Sequence, residues 1–97
     1  MTPFQRYIVE HAETLDLYTT TITRAHGANH PEVFQVRDLY QIIKEKAISD
    51  QSQLDLDQEF ASLDQITQHY FIPDDVCQTF AGTYQMLAEA RHLYQAS

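Results

Sequence analysis

Apolar residues recur along this chain at alternating spacings of three and four, the repeat of a helix that buries one face. The first stripe reads Phe4, Ile8, His11, Leu15, Tyr18, Ile22 and Ala25. Pro3 suits the first turn of that helix and Gly27 its end. A second stripe reads Val33, Val36, Tyr40, Ile43 and Ala47. Pro31 and Glu32 favour its start, and Lys44 and Lys46 complement the dipole at its end. Phe34, Leu39 and Ile42 fall off this stripe. The second helix is therefore expected to pack on more than one side or to present apolar surface to a partner.

Residues 49–53 are polar and read as a loop. A third stripe follows at Leu56, Phe60, Leu63, Ile66 and Tyr70, with Asp55, Asp57 and Glu59 in its first turns. Pro73 is expected to open the fourth helix, whose face is Cys77, Phe80, Tyr84, Leu87, Ala90 and Tyr94. Gly82 within it costs ~1 kcal/mol relative to Ala, which a close approach of helices would offset. Helices of this kind joined by short connections predict an all-α protein, an antiparallel four-helix bundle.

The 97 residues make one domain, 1–97, and only 2 glycines argue against a turn-rich β protein. A chain this short buries a limited core, so a homodimer sharing the second or fourth helix is the alternative assembly. Asp and Glu number 14 against 6 Lys and Arg, a net charge of −8. Such a surface is repelled by nucleic acid and by anionic membranes, whereas a basic protein partner or a cation fits it. The single cysteine, Cys77, excludes an internal disulfide framework. The start, Met1-Thr2-Pro3-Phe4-Gln5-Arg6, has no apolar signal region, and no run nears the ~18–20 apolar residues that span a bilayer. A cytoplasmic protein is expected.

The histidines are the first candidates for chemistry. His11 lies on the first apolar stripe and reads as a core histidine with a hydrogen-bond partner. His26 sits at the edge of the same face, four residues after Ile22. Gly27 and Pro31 prevent one regular helix from running through both His26 and His30, so the two need not share a face. His69 and His92 fall near helix ends, where a surface role is expected. Imidazoles and carboxylates inside a bundle suit transition metals, which makes His26, His30 and Glu32 the candidate metal ligands. Glu89 and His92 form the one Glu-x-x-His pair, with Ala90 and Tyr94 taking the buried face beside it. Asp55-Leu56-Asp57-Gln58-Glu59 lacks the central Gly and late Glu of a calcium loop and reads as an acidic helix start. Cys77 is expected in the first turn of the fourth helix as a small buried residue, and no Cys–His pair is readable. The chain shows no phosphate loop, nucleophile elbow or zinc-type cysteine spacing.

Two ordered motifs carry a family resemblance. Arg24-Ala25-His26-Gly27-Ala28-Asn29-His30-Pro31-Glu32-Val33 resembles the V-H-G-x-N-H-P-E-L stretch of the RIC family, hemerythrin-like di-iron proteins linked to iron–sulfur cluster repair after nitrosative or oxidative stress. Leu63 through Tyr84, with Tyr70-Phe71-Ile72-Pro73-Asp74-Asp75-Val76-Cys77 at its centre, resembles a later stretch of the same family. Together they cover about half of the chain. The resemblance implies a hemerythrin-like bundle in which His26 matches an iron ligand. The rest of the family's ligand set has no match here. Lys44-Glu45-Lys46-Ala47-Ile48-Ser49-Asp50 stands where H-x-x-x-E-E belongs, and Gln51-Ser52-Gln53 where E-H belongs. Only His92 lies near the position of the terminal H-x-H-x-E-N pattern, and the cysteine-bearing N-terminal domain of full-length members has no counterpart. The chain therefore reads as a shortened relative.

These features support two readings. The leading one is a non-enzymatic helical protein, with no cofactor, that acts through a protein partner in the stress and iron–sulfur repair context. The alternative is an iron-binding protein with a reduced or intersubunit site built on His26, His30 and Glu32, since a two-fold dimer doubles every ligand.

Overall fold

The computed structural model describes residues 1–49 and 54–96. The described residues form α1 (Pro3–His26), α2 (Glu32–Ile48), α3 (Asp57–Ile66) and α4 (Gln78–Ala96). Past Ser49, the loop expected over 49–53 lies outside the described residues.

Thr2 opens α1 with a capping box: its hydroxyl accepts from the Gln5 N–H at 3.1 Å, and the Gln5 side chain accepts from the Thr2 N–H at 2.9 Å. Two of the unpaired N–H groups at the helix start are satisfied in this way. Phe4, Ile8, Leu15 and Ile22 are buried as the stripe predicts, but Ala25 is exposed and Thr19 and Thr23 are buried instead. The reason is geometric. A strict repeat of 3.5 drifts by about 20° per heptad on a straight helix, so the far end of a long stripe rotates out. The buried threonines tolerate this because their hydroxyls donate back to the Leu15 and Thr20 carbonyls at 2.7 and 2.6 Å. On α2, by contrast, Val33, Val36, Tyr40, Ile43 and Ala47 are all buried.

The helices run antiparallel in chain order, and α1 packs on both α2 and α4. The start of α1 meets the end of α2 where Gln5 donates to the Ala47 carbonyl. In the middle of the pair, the Tyr40 hydroxyl lies 2.8 Å from the Asp16 carboxylate and 3.1 Å from the Ala12 carbonyl, while Lys44 donates to Asp16 at 2.9 Å. The start of α3 joins the end of α2 through Lys46 and Glu59 at 2.6 Å. It also meets the end of α4 through Tyr94, whose hydroxyl accepts from the Leu56 N–H at 2.8 Å and donates to Asp57 at 2.7 Å. Phe4, Phe60 and Tyr94 pack their rings at 5.2–5.9 Å there and close that end of the shared core.

The connection between α3 and α4 departs from the expected pattern. The third helix ends at Ile66 rather than continuing to Tyr70. Thr67 terminates it, donating to the Leu63 carbonyl and accepting from the Tyr70 N–H. Gln68, His69 and Tyr70 then adopt left-handed φ values of 54°, 62° and 60°. Each non-glycine residue in that region costs about 1–2 kcal/mol. Hydrogen bonds from the His69 N–H to the Asp64 carbonyl at 2.7 Å and from the Phe71 N–H to the Thr67 carbonyl at 3.0 Å hold the turn. Pro73 does not open α4, which begins at Gln78; Asp74 and Asp75 form a turn before it.

The two glycines differ. Gly27 follows α1 with φ −59°, so it is not needed for a left-handed cap. A Cβ there would press on the Thr23 carbonyl and lie 2.8 Å from the Phe34 ring. At Gly82 an added Cβ would meet the Tyr18 ring at 3.4 Å, an ordinary contact, so close approach does not demand glycine there. We expect Gly82→Ala to stabilise the bundle by about 1 kcal/mol, the helix-propensity difference, measured by urea unfolding. Tyr40→Phe leaves the buried site without its hydroxyl and is expected to lower stability by about 1–2 kcal/mol in the same assay.

Candidate functional site

Chemistry-bearing side chains gather at one end of the bundle, where α1 ends, α2 begins and the 67–77 connection leads into α4. His26 is the last residue of α1, and Cys77 immediately precedes α4. Because those two helices are antiparallel neighbours, the ends meet: His26 Nε2 lies 3.2 Å from Cys77 Sγ. Cys77 is exposed, not the small buried residue expected, because α4 starts after it and its side chain stays outside the packed face. The hydrogen bond from His26 is the largest influence on the thiol. With the Phe80 and Thr79 N–H groups of the helix start, it outweighs partial burial and lowers the pKa to about 7.

His30 sits in the turn that leads into α2. Its Nδ1 is 3.2 Å from Glu32 and its Nε2 is 3.0 Å from Asp75. Burial pulls the pKa of this imidazole down. Hydrogen bonds to Asp75 and Glu32 and the charges of those two carboxylates prevail, and the net shift is upward. Phe80 packs against both histidines, edge-on to His26 at 5.4 Å and to His30 at 5.5 Å, and the two imidazole centroids are 6.3 Å apart. Thus the fold gathers His26 and His30 although no single helix carries both.

The other histidines stay apart from this group. His11 keeps its ring against Tyr7, stacked at 4.0 Å, with Nδ1 2.8 Å from the Tyr7 carbonyl. His69 pairs with Asp64, and His92 is exposed.

A recess of about 300 Å³ adjoins His30, lined also by Glu32, Thr67, Phe71, Pro73 and Tyr84. Tyr84 is 2% exposed, and its hydroxyl has no hydrogen-bond partner among the described residues. Burial, reinforced by the Glu32 charge, pushes the pKa of this phenol well up.

The resemblance raises the question of iron. His26, His30 and Glu32 are brought to the same end of the bundle, but both ring nitrogens of His30 already face carboxylates on opposite sides. Among the described residues, no group of three or more His, Cys, Asp and Glu is arranged to hold one metal ion. The described residues of one chain therefore do not by themselves fit a di-iron centre. No family model, no curated protein and no solved structure matches the chain. Among the described residues, no helix is long and apolar enough to cross a membrane.

The Cys77–His26 pair escapes sequence reading because 51 positions separate its members. The one local signal was a cysteine placed just after the Pro73-Asp74-Asp75 turn, where a helix start was expected.

A pH dependence follows from His30. Its pKa in the folded state is raised, so its stabilising contribution is complete below the unfolded value of about 6.5 and is lost as pH rises through the folded value. Thermal unfolding of the protein is expected to lose a component of stability on going from pH 6 to pH 8. In His30→Gln that component is expected to vanish, leaving the opposite rise in stability that the lowered Cys77 pKa contributes as pH passes about 7.

Proposed function

We propose that this chain is a non-enzymatic, protein-binding bundle of the RIC lineage that acts in iron–sulfur cluster repair under stress. The observation that carries the binding reading is the apolar surface left on α2. Phe34 and Ile42, two turns apart in one row of the helix, are 47% and 41% exposed. Leu39 and Ile42 of α2 join Ile66 at the end of α3 to line a groove of about 330 Å³. Leu39 and Ile66 are partly buried against the core, but Phe34 and Ile42 fall off the α2 core stripe, and burial within this chain does not account for them.

A groove between two helices takes the apolar face of a third. Asp38 borders it, and the chain carries a net charge of −8. The complementary partner segment is an amphipathic helix with basic flanks. The repair context rests on the two motifs that resemble the RIC family.

In cells lacking this protein, recovery of a [4Fe–4S] dehydratase after nitric oxide exposure is expected to be slow and to be restored by the wild-type gene. Ile42→Glu, checked for native helicity, is expected to fail in that assay and to weaken binding of the partner by about 30-fold or more, the scale of an interface hot spot. Equal restoration by Ile42→Glu would sink the groove; normal recovery without the protein would sink the repair context. The second reading, iron shared between two chains, is supported by the meeting of His26, His30 and Glu32 at one end. It requires about one iron per dimer after anaerobic loading, lost in His26→Ala.

A further inference from the structure

We infer that the recess between the start of α2, the end of α3 and the first half of α4 binds a small organic cation, a primary ammonium carried on a short apolar body. Its volume of about 300 Å³ falls at the small end of ligand sites.

The polar groups of the recess are placed for a ligand with several donors. Tyr84 from α4 and Glu32 from α2 both line it. The Tyr84 hydroxyl is buried and has no hydrogen-bond partner among the described residues. Native structures rarely leave such a group unsatisfied. Burial and then the Glu32 charge raise the pKa of this phenol, so the carboxylate acts on it without a hydrogen bond between them. An ammonium has three N–H donors, enough to give one to the carboxylate and one to the hydroxyl oxygen. Glu32 turns Oε2 to His30 at 3.2 Å, yet its side chain is 31% exposed, so carboxylate surface remains for the ligand.

Local charge selects the sign of the ligand. Among the described residues that line the recess, only His30 can carry positive charge. It is paired with Glu32 on one side and Asp75 on the other. One imidazole does not neutralise two carboxylates in either protonation state. The local balance is therefore negative, as is the net charge of −8. A cation is attracted and an anion repelled.

The remaining wall selects the body of the ligand. Ile66, Phe71 and Pro73 line the recess, and Phe71 is 60% exposed. The chain leaves α3 through its left-handed run and so sets Phe71 and Pro73 on the same recess as Glu32. Covering the Phe71 ring with an apolar body adds hydrophobic stabilisation that a bare metal cation does not supply. Leu39 and Ile42 line the α2–α3 groove and not this recess, so the site does not depend on that groove having a partner.

The test follows amide NMR shifts of the full chain at pH 7, with a metal chelator present and about 0.15 M salt to screen the acidic surface. Benzylamine is the probe, and benzyl alcohol and benzoate are comparisons of similar size. Benzylamine is expected to saturate with a Kd of about 1 mM, ordinary for so small a ligand, and to shift the Glu32, Phe71 and Tyr84 amides. Benzyl alcohol and benzoate are expected to bind about tenfold more weakly or worse, the scale of a charge-assisted hydrogen bond. Glu32→Gln is expected to weaken benzylamine about tenfold and Tyr84→Phe about fivefold. Tyr84→Phe keeps the ring and removes an unpartnered hydroxyl, so it is expected to fold as stably as wild type. Shifts that stay linear in benzylamine, or that spread over the acidic surface, overturn the site. Benzyl alcohol binding as tightly as benzylamine overturns the ammonium head, whether or not either variant folds. Unchanged binding in a folded Tyr84→Phe and a folded Glu32→Gln overturns the placement in this recess.

Discussion

The shared apolar face of α1 is the constraint on which the remaining structure depends. At 24 residues it is the longest of the four helices, and it is wedged between α2 and α4. A single helix can satisfy two neighbours only if its buried stripe is wide, and Thr19 and Thr23 widen it by hiding their hydroxyls against their own backbone. Once α1 is held on both sides, the far ends of α2 and α4 are fixed relative to it. The turn at Gly27 and the start of α4 are then brought together at the end of α1.

That convergence explains why His26, His30 and Cys77 collect at one end, while the Phe4, Phe60 and Tyr94 rings close the other. At the α1 start, Phe4, Phe60 and Tyr94 close the core, and the Tyr94 hydroxyl ties down the beginning of α3. At the α1 end, Phe80 supplies the apolar floor on which His26 and His30 rest. His30 then links the start of α2, through Glu32, to the turn before α4, through Asp75. Against the downward pull of burial, two carboxylate partners raise the pKa of this imidazole, and one side chain thereby ties both turns together.

The left-handed run at Gln68, His69 and Tyr70 belongs to the same logic. It reverses the chain between the third and fourth helices in few residues. Its conformational cost is borne by the hydrogen bonds that Thr67 and Asp64 provide and by the partial burial of Tyr70 against the core.

The sequence by itself determined the helices and most of their buried faces. Helical periodicity is a local property, and the 3- and 4-residue spacings of Val33, Val36, Tyr40, Ile43 and Ala47 leave one face to bury. It also marked Phe34 and Ile42 as surplus to that face, and both are exposed. It did not determine where α3 stops, because Thr67 caps the helix through a side-chain bond that no periodic pattern records. Nor did it reveal the exposure of Cys77 or its contact with His26. That contact depends on the order and direction in which whole helices pack, a sum of many distant contacts, and only the tertiary structure decides it.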